Sequence, residues 1–99
     1  MIKVRLDIGR DGGIVGFHAD SHGDRVVCAA VSALIINTVN SIESLTDTDF
    51  NCEHENERFI TFRLKSEADA GARLLLEALM LGLTSIAEEH PGEITVTTE

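Results

Sequence analysis

Residues 16–32 read GFHADSHGDRVVCAAVS. The stretch opens strand-like, crosses a short polar loop carrying two histidines, and enters an apolar helical run with Cys28 near its start. Asp24 stands at the boundary, where a short acidic side chain accepts hydrogen bonds from the unpaired N–H groups of a first helical turn. A switch of apolar period from about 2 to about 3.6 across so few residues sets a strand–loop–helix unit.

Upstream, Ile2, Val4, Leu6 and Ile8 alternate with Lys3, Arg5 and Asp7, the period of a half-buried strand. Asp11-Gly12-Gly13 is a hairpin signal, so residues 14–18 form a second, antiparallel strand and 19–24 a polar loop. Downstream, the spacing predicts a helix over 25–45 with Val27, Val31, Leu34, Thr38, Ile42 and Leu45 as its core stripe. Ala29, Ile36 and Val39 make its other side apolar too, which fits a sandwiched helix or one in an oligomer contact.

Phe50, Cys52 and His54 then alternate with polar residues, residues 55–57 turn, and 59–64 return as a strand with Ile60, Phe62 and Leu64 on one face. Ser66 caps a second helix over 67–90, with Ala72, Leu75, Leu76, Leu79, Leu83 and Ile86 as its stripe and Pro91-Gly92 as its stop. Ile94 and Val96 alternate with threonines in a last strand. The order is ββαββαβ. It predicts one α+β domain over 1–99, a two-layer sandwich of two long helices on one mostly antiparallel sheet.

Eight Lys and Arg against seventeen Asp and Glu leave a net charge of −9. Phosphate backbones are bound through Lys and Arg, so no direct nucleic-acid contact is expected, and a basic peptide is the better partner. Charges interrupt the N-terminal residues, and no unbroken apolar run reaches the ~18 residues of a membrane span. A soluble, cytoplasmic protein is expected. Its two cysteines, Cys28 and Cys52, are then reduced thiols and not a disulfide framework.

Cys28 falls one turn into the first helix, where unpaired N–H groups create a positive potential that favours thiolate. A histidine in reach stabilises that thiolate and protonates a leaving amine. His18 ends the preceding strand and His22 sits on the loop; both are candidates on spacing. Cysteine is equally a common core residue, and Cys52, alternating with Phe50, reads as core. His18, His22 and Cys28 together also offer three metal ligands, short of a four-ligand zinc site, so no metal and no cofactor are expected. Ser32, four residues after Cys28, shares its helical face, and Asp24 is either a cap or a partner for a histidine. His54 and His90 have no evident partner.

Gly16, His18-Ala19, the run VCAAVSAL over 27–34 and VNSI over 39–42 resemble the ribosomal-processing cysteine protease family (Prp). The ββαββαβ order resembles that family's throughout. The resemblance implies a small bacterial homodimer that removes an N-terminal extension from the large-subunit ribosomal protein numbered twenty-seven. It implies a Cys-His dyad with Cys28 as nucleophile and His18 as base. Ser32 and Asp24 fall on the family's supporting serine and aspartate, and Ala19, Asp20, Ser21, His22 and Gly23 on a substrate loop. This chain departs from the family in Phe17, which separates Gly16 from His18, and in a loop about two residues shorter. The competing expectation is a non-enzymatic dimeric interaction domain associated with ribosome assembly, in which Cys28 is core.

Overall fold

A computed structural model describes residues 1–20, 22–55 and 59–99. The elements are β1 (Ile2–Ile8), β2 (Ile14–Asp20), α1 (Arg25–Leu45), β3 (Phe50–Glu55), β4 (Phe59–Leu64), α2 (Ala70–Glu89) and β5 (Ile94–Thr98). The strands form one sheet in the order β3-β4-β2-β1-β5. All neighbours are antiparallel except β1 and β5. This is the expected ββαββαβ two-layer arrangement.

The β1–β2 hairpin closes at Gly12, whose φ of +87° lies in the left-handed region that glycine enters without a Cβ clash. The Asp11 carboxylate accepts from Gly13 N–H at 2.9 Å and pairs with Arg73 of α2 at 2.8 Å, tying the turn to the helical layer. One face of the sheet carries Ile2, Val4, Leu6, Phe17, Ala19, Phe62 and Ile94, all buried. Against it pack Val27, Val31, Ile35, Val39 and Ile42 of α1 and Ala72, Leu76, Leu79 and Leu83 of α2. The alternate residues of the strands, His18 among them, stand on the other face, which neither α1 nor α2 covers.

Four expectations are corrected. The second strand runs on through Ala19 and Asp20, because each finds partners on both sides: Ala19 pairs with Val4 and Ile60, Asp20 with Lys3 and Phe59. The core stripe of α1 uses Ile35 and Val39, whereas Leu45 is 76% exposed at the helix end. The second helix starts three residues later than expected, capped by Asp69, whose carboxylate accepts from Ala72 N–H at 2.8 Å. Ser66 Oγ instead accepts from Asp49 N–H at 3.4 Å. Finally, α1 and α2 are each long and apolar enough to cross a membrane by length and composition. Counting unbroken apolar runs missed this, since a helix tolerates an occasional charge. Of the expected 55–57 turn, Asn56 and Glu57 lie outside the described residues.

Candidate active site

The start of α1 is built by Asp24. Its backbone is non-helical, with φ −53° and ψ 135°, and its carboxylate accepts from the N–H groups of Val26 and Val27, each at 3.1 Å. Its carbonyl accepts from Cys28 N–H at 2.8 Å, the first bond within the helix. Asp24 is therefore the helix cap, and it has no hydrogen bond to a histidine among the described residues. It also occupies two of the donors that a helix start offers to an oxyanion, the N–H groups of Val26 and Val27.

Cys28 is half-buried and packs on the edge of the core cluster, one turn into α1. Ser32 lies one turn further along the same helix and is also half-buried. Gly23 is exposed in the loop above Ile2; a Cβ there would stand 3.1 Å from Ile2 Cγ1. His22 is exposed just ahead of the cap. Ser21 lies outside the described residues.

His18 is fixed by β2. Its neighbours Phe17 and Ala19 point into the core, so its own side chain points to the uncovered face. There Nδ1 lies 2.8 Å from Thr61 Oγ1 across the strand pair, and the ring stacks on Phe59 with centroids 6.1 Å apart. Thr61 and Phe59 went unnoticed in the sequence because only the β2–β4 register brings them to His18. A groove of about 300 Å³ runs alongside, lined by Lys3, Arg5, His18, Asp20, Thr95 and Thr97.

The sheet thus separates His18 from Cys28, and no hydrogen bond joins them among the described residues. The expected loop is also smaller than read: Ala19 is buried in the core, and Asp20 belongs to the strand. The Asp20 Oδ1 oxygen is buried with no hydrogen-bond partner among the described residues. Nor do His18, His22 and Cys28 converge as metal ligands; no group of three His, Cys, Asp or Glu able to hold an ion exists among the described residues.

A thiol–imidazole contact does occur elsewhere: Cys52 Sγ lies 4.0 Å from His54 Nε2. The pair sits on one face of β3, two residues apart. Burial, with the Glu53 carboxylate beside it, pushes the Cys52 thiol up from its ordinary value, which keeps it protonated. A protonated thiol is a poor nucleophile, so proximity to histidine does not make Cys52 the reactive cysteine.

Residues 1–95 match the family model described as cysteine protease Prp. The chain is 30% identical over 114 residues to the ribosomal processing cysteine protease Prp of Bacillus subtilis, covering 99% of this chain and 97% of that one. It is 29% identical over 102 residues to the Staphylococcus aureus protein of the same name, with 95% of each covered. Among solved structures, the S. aureus essential ribosomal processing protease with a covalently linked product peptide superposes over 100% of both chains. The TM-score is 0.94 at 25% identity.

Proposed function

The chain belongs to the cysteine protease Prp family, and from that premise we propose that it trims the N-terminal extension of the large-subunit ribosomal protein numbered twenty-seven, with Cys28 as nucleophile and His18 as acid–base. The observation that carries this is the whole-chain kinship to processing proteases, one of them held with its product peptide. The position of Cys28, one turn into a capped helix at the rim of the core, is compatible with it. In the reaction the Cys28 thiolate attacks the scissile carbonyl and the C–N bond breaks as the imidazolium hands its proton to the departing amine. Water then attacks the thioester while the imidazole takes a proton, which frees the carboxylate product and the thiol.

The pair has to be assembled for this, because the sheet stands between thiol and imidazole. The end of β2 is the short way round. His22 is the rival base, since it is exposed in the loop that leads into α1. The acidic balance of −9 favours a substrate whose residues near the cleavage point are basic. The exposed apolar side chains Val26, Ile36, Leu74 and Leu81 on the helices support a homodimer, and the cytoplasm is the compartment where such a precursor and reduced thiols coexist.

The test is cleavage of a synthetic peptide spanning the extension, followed by mass spectrometry for wild type, Cys28→Ala, His18→Ala and His22→Ala. The proposal predicts that Cys28→Ala and His18→Ala abolish cleavage and that His22→Ala retains it. Cleavage surviving in His18→Ala and lost in His22→Ala moves the base to the loop. Cleavage surviving in Cys28→Ala removes the thiol mechanism altogether.

A further inference from the structure

We propose that Thr61 is a positioning residue that latches His18 on the uncovered face of the sheet, and that release of this latch admits the imidazole to the Cys28 side. The inference rests on the reading of His18 as the acid–base. The latch is specific: the Nδ1–Oγ1 distance is 2.8 Å, and the ring is backed by Phe59. While that bond stands, β2 keeps His18 on the face opposite α1.

The segment beyond the latch is built to let go. His18 is the third residue from the end of β2, so only the pairings of residues 18–20 with Lys3–Arg5 of β1 and Phe59–Thr61 of β4 have to open. Ala19 is the only one of the three in the core and offers a single methyl to it. Asp20 Oδ1 is buried without a donor among the described residues, a state that opposes packing and is relieved when that oxygen returns to water. The two features face each other energetically. The Thr61 bond favours the closed strand end, and the orphaned Asp20 oxygen favours the open one.

The experiment compares Thr61→Val, Thr61→Ser and His18→Ala with wild type on the extension peptide, together with nitrogen NMR of the His18 ring in Cys28→Ala. Valine keeps the shape and the strand preference of threonine but cannot bond Nδ1. A single hydrogen bond biases a two-state equilibrium by about two- to tenfold. Thr61→Val should therefore raise kcat/KM by about that factor, while Thr61→Ser stays within about twofold of wild type. Adding the peptide to Cys28→Ala should move the His18 Nδ1 signal away from its hydrogen-bonded position. Folded Thr61→Val that cleaves no faster than wild type overturns the latch, as does a His18 signal unmoved by saturating peptide. Unimpaired cleavage by His18→Ala overturns it by a separate route, because the base itself is then misassigned.

Discussion

Asp24 and Cys28 share the same turn of backbone, and the structure divides it between them. The Asp24 carboxylate holds the N–H groups of Val26 and Val27, and its carbonyl holds that of Cys28. Asp24→Ala leaves those donors without the carboxylate and should cost about 1 kcal/mol of stability, read as a lower midpoint in urea. An unchanged midpoint would show that the loop recaps the helix. The two thiols offer a second test at this scale. Cys52 is held protonated by burial and by Glu53, so iodoacetamide near neutral pH should modify Cys28 first, as mapped by peptide mass. Labelling of Cys52 ahead of Cys28 would contradict the assignment of the nucleophile. Asp24 was legible as a cap from its place before an apolar run. That its side chain is spent there, and so unavailable to orient a histidine, was not, because one carboxylate in sequence serves either role.

The elements explain both why the site is where it is and why part of it was misread. Gly16 sits in the middle of β2 between Asp7 and Arg63, and those two residues form an ion pair of 3.1 Å across it. A Cβ at Gly16 would stand 2.6 Å from the Phe62 carbonyl oxygen, which is backbone and cannot step aside. Gly16→Ala should therefore destabilise by about 1–3 kcal/mol and shift the β2–β4 register on which the His18–Thr61 contact depends. Thermal unfolding reads the first effect and the His18 ring signal the second. The start of α2 gives a pH test. The Ala72 N–H holds the Asp69 carboxyl below its ordinary value of 3.8, with partial desolvation opposing. A carboxyl depressed in the folded state contributes stability above its unfolded pKa and loses it as pH falls through the folded value. Asp69→Asn should flatten the acid limb of the stability curve below about pH 4 while leaving the neutral plateau's pH-independence intact; an equally steep limb would contradict this. Element order and both helices were readable because long stripes at helical spacing leave little freedom. The last two residues of β2 were not, since Ala19 and Asp20 carry no strand signal of their own and are held by strands 15 or more residues away along the chain. The true cap of α2 was missed for a similar reason. Ser66, Glu67 and Asp69 are all plausible starts, and Asp69 wins through Asp47 N–H and Thr48 Oγ1, contributed by the connection that leads into β3.

At the scale of the whole molecule, the sheet is the dividing wall. Its core face carries both helices and the thiol, and its uncovered face carries His18, Thr61 and the groove beside them. The helices turn further apolar side chains outward, with Leu74 and Leu81 of α2 both exposed. Sedimentation equilibrium should find a dimer that Leu81→Glu weakens; a wild-type monomer at tens of micromolar would remove that part of the proposal. The sequence pattern showed the two layers but not which face each histidine takes, since a strand's facing is decided by its register with neighbours far away in sequence. The proposed assignment of the nucleophile stands or falls with one thiol. The most direct measurement is the intact-mass time course of the extension peptide with wild type, Cys28→Ala and Cys52→Ala. Wild type and Cys52→Ala should cleave the peptide completely and Cys28→Ala not at all; cleavage by Cys28→Ala at the wild-type rate would contradict Cys28 as nucleophile.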